Sequence, residues 1–242
     1  MLGLLVIIVI SWVLLHLIEK KNIEALGIIP TRKRSVHFFI GFTIMIVICL
    51  ISIFIESFIL KVVWKQNDTI NYLSIFDSFI YHLRSALTED LVFRGAILYI
   101  FIQRIGTRKA ILLSAFVFGV YHIFSYGMIN SSLIAILYII IITGFTGYVW
   151  AYTFDKTKSI MMGLGFHLGY NFLMSMFYEN QPYGQLIFQE ISKTSLIDWN
   201  WMFYNIPKGL FPSILTLIFV KQYLKYQANK NLNNEKDHKK LS

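Results

Sequence analysis

Charge is scarce in this chain: charged residues make up 14% of 242 positions, against about a quarter in soluble domains. Cysteine is nearly missing, and the single thiol of Cys49 cannot close an internal disulfide, which excludes a small stapled secreted module. No basic segment and no small-residue cleavage site accompany the apolar stretch 1–18, so it is expected to stay as a first span rather than be removed as a leader. A His-Glu-x-x-His pair is absent, which removes the commonest zinc-protease signature. No repeat of solenoid or propeller period occurs.

What fills the chain instead is apolar. Hydrophobic residues are 56% and aromatics 17%, more than a soluble fold of this size can hide, and they come in long blocks. The formal charge of +9 does not point to nucleic acid, because basic residues stand between apolar blocks and in the tail rather than on one solvated face. The expectation is an all-α, polytopic membrane bundle of seven to eight transmembrane helices: a single transmembrane domain over 1–224 and a basic, disordered tail over 225–242.

About 20 apolar residues cross a bilayer core. On that basis the spans fall at Leu2–Ile18, Val36–Leu60, Thr88–Ile102, Ala110–Phe124, Leu133–Phe154, Ile160–Tyr178 and Leu210–Tyr223. Asp77, His82 and Arg84 interrupt the stretch Tyr72–Ala86, which reads as an interfacial or re-entrant helix. Sixteen Lys and Arg lie on one side of this arrangement, at 20–34, 104–109, 156–158 and in the tail, against four on the other, Lys61, Lys65, Lys193 and Lys208. By the positive-inside rule the chain is a multi-pass cell-membrane protein with its C-terminus in the cytoplasm, its tail able to touch anionic lipid. Trp199, Trp201, Phe203 and Tyr204 in the long segment 179–207 read as an interfacial aromatic belt, with a lid over a site as the alternative. Gly144 and Gly147, then Gly163, Gly165 and Gly169, permit close helix contact in lipid.

Ionisable groups inside spans are costly and need partners or a task. Three clusters stand out. In Glu89-Asp90-x-x-x-Arg94 the acid and base four apart can pair along one helix face, leaving Glu89 turned about 100° away; a helix start capped by Thr88 is the structural alternative. Phe118-x-x-x-His122 places an imidazole near a span end, where an interfacial histidine is also ordinary. His167-x-x-x-Asn171 stacks two hydrogen-bonding side chains on one face, which suits a shared ligand or an interhelical hydrogen bond. Counting ~1.5 Å per residue from the basic ends puts Glu89, His122 and Asn171 at about 20 Å and His167 one turn lower. His16, His37, Glu56 and Asp155 receive no chemistry. A carboxylate beside an imidazole can hold a water and take its proton, and imidazole and amide donors can stabilise an oxyanion.

In this order, on separate helices, these three motifs resemble those of the CPBP intramembrane proteases, the CAAX-protease and bacteriocin-processing (Abi) family, over a core of about 72–178. The resemblance implies an α-helical membrane endopeptidase acting on a peptide or membrane-protein substrate among lipids. In it Glu89 and His122 would activate water, and His167 and Asn171 would bind the oxyanion. Asp90, Arg94 and Phe118 would support them. The family pattern has a second glutamate where this chain has Asp90, one methylene shorter. No cofactor is expected; the alternative is zinc on Glu89, His122 and His167, leaving an open fourth position. Two other functions remain open at this point: a non-catalytic bacteriocin-immunity or scaffold protein of the same fold, and a transporter or proton relay, for which paired broken helices are lacking.

Overall fold

The computed structural model describes residues 2–241, with side chains through 233. It is a helical bundle: α1 (Leu2–Leu14), α2 (Arg32–Leu60), α3 (Tyr72–Arg94), α4 (Ala96–Ile105), α5 (Thr107–Ser125), α6 (Leu133–Thr157), α7 (Met161–Phe177) and α8 (Asp198–Leu241). A π-helical turn (Leu15–Glu19) extends α1, and a 3-10 turn (Ile23–Leu26) follows it. The all-α expectation is corrected in one detail: β1 (Val63–Gln66) and β2 (Phe188–Ser192) pair as an antiparallel ribbon.

Among the described residues, five helical stretches are long and apolar enough to cross a membrane: Leu2–Glu19, Arg32–Leu60, Thr107–Ser125, Leu133–Thr157 and Asp198–Asn233. The stretch Thr88–Ile102 is not one helix. Residues 72–94 form a single 23-residue helix, and Gly95 ends it; a Cβ there would fall on the Leu91 carbonyl. Helix α3 buries a stripe at four-residue spacing, Ser78, His82, Ala86, Asp90 and Arg94, of which all but Ala86 are polar. Mean apolarity hid that stripe. The expected span Ile160–Tyr178 is the 17-residue α7.

Loop contacts gather the basic segments at one end of the bundle. Arg104 pairs with Glu19 at 3.0 Å and donates to the Ile18 carbonyl. Ile160 N–H donates to Leu26, and Ser159 Oγ to the Gly27 carbonyl. The ribbon, Lys61 and Lys65 lie at the opposite end, called here the ribbon face. The tail expected at 225–242 continues α8 as helix through Leu241, while Ser242 and the side chains from 234 lie outside the described residues. Trp199 and Phe203, on the first turns of α8, are 69% and 74% exposed, as a belt facing lipid headgroups requires.

Small residues let the helices approach. At Gly165 and Gly169 of α7 an added Cβ would strike the Phe38 and Phe42 carbonyls of α2, and at Gly41 the Met162 carbonyl of α7. These two helices therefore run parallel in close backbone contact. Helices α5 and α6 cross antiparallel, with Gly119 against Ile140 and Gly144. Gly163 differs from the other α7 glycines, because a Cβ there meets only Trp150 at ordinary distance.

Candidate active site in the bundle interior

Helices α3 and α7 run antiparallel, pinned where the Ser78 and Ser175 hydroxyls hydrogen-bond at 3.0 Å. Some eleven residues further along α3, that pairing brings Glu89 and Asp90 to His167. Glu89 Oε2 is 3.8 Å from His167 Nε2, and Asp90 Oδ1 is 3.5 Å from His167 Nδ1. One imidazole thus stands between two carboxylates.

Asp90 and Arg94 pair at 3.1 Å, with side chains 1% and 2% exposed. The guanidinium lies 3.8 Å over the Phe118 ring of α5 and 5.0 Å from Trp150 of α6, so three helices, α3, α5 and α6, meet around it. A bare buried ion pair repays its desolvation poorly, and cation–π stacking supplies attraction the single hydrogen bond does not. Gly147 of α6 makes room: a Cβ there would lie 2.8 Å from Phe118 Cδ1 and 3.3 Å from Arg94 Nη2. Arg94 Nε and Nη2, Asp90 Oδ2 and His167 Nδ1 are buried without a hydrogen-bond partner. Unpaired polar atoms gathered in one place call for ordered water or a ligand group between them.

His122 is 7% exposed and its ring packs on Phe118 at 4.4 Å. Its Nδ1–H donates to the Phe118 carbonyl at 2.8 Å, which fixes the tautomer and leaves the Nε2 lone pair free to accept a proton. Among the described residues it makes no ion pair with Glu89. Asn171 is half-buried, one turn beyond His167 toward the ribbon face. Sequence depth counting placed Glu89 nearer Asn171 than His167. The break at Gly95 shortens the path from Arg104 and sets Glu89 level with His167.

Glu89, His122 and His167 form no metal-holding group: among the described residues no three His, Cys, Asp or Glu side chains are so arranged.

Two features escaped the sequence. Trp150 packs on His167 with centroids 4.4 Å apart and the rings tilted by 32°, and nothing in a chain this rich in aromatics marks it out. Glu56 of α2, 3% exposed, accepts from Tyr178 Oη and Lys208 Nζ, tying α2 to α8 at the ribbon end. Its place inside an apolar run was the available signal.

A helical membrane bundle with carboxylates and imidazoles buried at a four-helix junction defines a class of intramembrane sites rather than a soluble enzyme cleft. Residues 71–173 match the family model of the type II CAAX prenyl endopeptidase Rce1-like proteins. That segment holds every residue of the three motifs, and over it the chain is similar to the CAAX-protease family. No curated protein and no solved structure matches the chain.

Proposed function

We propose that the chain is an intramembrane endopeptidase that hydrolyses a small hydrophobic or membrane-associated peptide with water activated at Glu89. The observation that carries this reading is the contrast between neighbouring acids. Asp90 is neutralised by Arg94 in a closed pocket, while Glu89 keeps 18% of its side chain exposed and its charge uncommitted to any cation.

Glu89 takes a proton from water as the water oxygen bonds to the scissile carbonyl carbon, and the carbonyl π electrons move to oxygen. His167 and Asn171, stacked on one face of α7, supply N–H donors to that oxyanion. The proton on Glu89 then passes to the departing amine nitrogen as the C–N bond breaks, leaving a new carboxyl group and a free amine. His122, with Nε2 free, holds the water from the α5 side. Asp90 and Arg94 hold the Glu89-bearing turn of α3, and Phe118 and Trp150 hold Arg94 and His167.

Helices α3 and α7 run between the same two ends of the bundle as the five apolar helices, which supports seven crossings with the basic end and the C-terminus in the cytoplasm of a cell-membrane protein. The test is cleavage of a prenylated CAAX peptide by the reconstituted chain, together with comparison of membrane peptides from cells carrying wild type or Glu89→Gln. Loss of cleavage in a folded variant is expected. Function that survives Glu89→Gln would instead support the immunity or scaffold reading.

A further inference from the structure

Toward the ribbon face, polar side chains continue from Glu89 along both α3 and α7. On α3, Ser85, His82 and Ser78 share its face, at offsets of four, seven and eleven residues that fall within an arc of about 60°. On α7, His167, Asn171 and Ser175 follow at four-residue spacing and form the opposing stripe. The two stripes meet at both ends, through Glu89 and His167 at 3.8 Å and through Ser78 and Ser175 at 3.0 Å. Asn171 consequently lies in register between them. Ser85 Oγ donates to Glu89 Oε1 at 3.4 Å. His82 Nε2–H donates to the Pro182 carbonyl at 3.2 Å, so its Nδ1 is an acceptor, and Pro182 belongs to the segment that leads into β2 at the ribbon face.

Toward the basic end, beyond Asp90 and Arg94, the surroundings are mainly apolar: Leu15, Leu26, Leu91, Ala151, Phe154 and Ile160 belong to one buried cluster, with Ser159 beside it. Water does not persist among such side chains, whereas a file of hydroxyl, imidazole and carboxamide groups one helical turn apart suits bridging waters.

We propose that the α3–α7 polar seam is the route by which water and protons exchange between Glu89 and the ribbon face. The seam rests on the peptidase reading for its purpose, since each turnover consumes one water, but its hydration is a separate physical property. A peptide hydrolase in lipid needs such a path, because its co-substrate is scarce in the hydrocarbon layer.

The test uses the full-length chain in membrane vesicles, with Cys49→Ala as background and one new cysteine at a time. The probe is a charged, membrane-impermeant methanethiosulfonate applied to either side. Lys65→Cys marks the ribbon face and Arg108→Cys the basic face, both at exposed positions. Leu50→Cys, on the outer surface of α2 at 46% exposure, reports a position facing lipid. The expected result is that Ser85→Cys reacts at least about tenfold faster than Leu50→Cys, because a thiol must be hydrated to ionise. Reaction should occur only from the face where Lys65→Cys reacts, and Ser78→Phe should slow it by a similar factor. Reaction no faster than at position 50, or from the Arg108 side, overturns the proposal. Labelling does not require turnover: a seam that labels in a chain unable to cleave peptide overturns the peptidase reading alone, and cleavage without labelling overturns the seam alone.

Discussion

Replacing Arg94 by Met exposes how the centre of the bundle is held. The substitution keeps an unbranched apolar stem but removes a guanidinium that pairs with Asp90 at 3.1 Å and covers the Phe118 ring at 3.8 Å. Asp90, 1% exposed, would be left as a buried charge without its guanidinium partner, with His167 at 3.5 Å. Breaking a buried pair by removing one member costs about 3–5 kcal/mol. For a chain of this size each kcal/mol moves the melting midpoint by roughly 2–4 °C, so a fall on the order of 10 °C is expected. The companion change Asp90→Leu should cost a similar amount by stranding Arg94. The double variant Asp90→Leu/Arg94→Met removes both charges and should recover most of either loss, a coupling of about 3 kcal/mol. Cys49 provides the assay. It is the chain's one cysteine and fully buried, so its reaction with a thiol-reactive dye during heating in detergent reports unfolding directly. A double variant as unstable as the sum of the two single changes would refute the reasoning.

Gly147→Ala tests the same junction from α6, since its methyl must displace Phe118 or Arg94; a loss of about 1–3 kcal/mol is expected in the same dye assay. Gly165→Leu should separate α2 from α7, whose backbones touch there, and its lower yield of folded protein would be read by gel filtration in detergent. Trp150→Leu should lower kcat with KM little changed, because the ring that orients His167 at 4.4 Å is lost; steady-state kinetics on a lipidated peptide measures the split. Prolonged dialysis against a chelator should leave cleavage intact, as no metal-holding group is formed among the described residues, and activity restored only by added zinc would contradict this.

Much of the architecture could be read from apolar run length, because a bilayer imposes that length on α1, α2, α5, α6 and the apolar part of α8. Where the sequence misled, polarity was averaged when it should have been resolved by face. Asp77, His82 and Arg84 made the start of α3 look interfacial, yet His82 points inward to Pro182 and belongs to a stripe four residues in period. The position of Gly95 was visible, but that it ends α3 follows from its backbone lying against Leu91, a fact of packing. Within the site, the pairing of Asp90 with Arg94 follows from spacing alone. The meeting of Glu89 with His167 depends on how far α3 slides along α7, which the Ser78–Ser175 hydrogen bond fixes and no local rule dictates. The ribbon was hidden for a similar reason: β1 and β2 are short strands more than a hundred residues apart, each too short to announce itself.

The central claim is that Glu89 activates a water for peptide hydrolysis. Its most direct test is cleavage of a lipidated peptide by the reconstituted chain in 18O-labelled water, for wild type and Glu89→Gln under conditions where both are folded. The account predicts one labelled oxygen in the new carboxyl group with the wild type, and a rate lower by about 10²–10⁴ in the variant. Label incorporated at an unchanged rate by Glu89→Gln would contradict it.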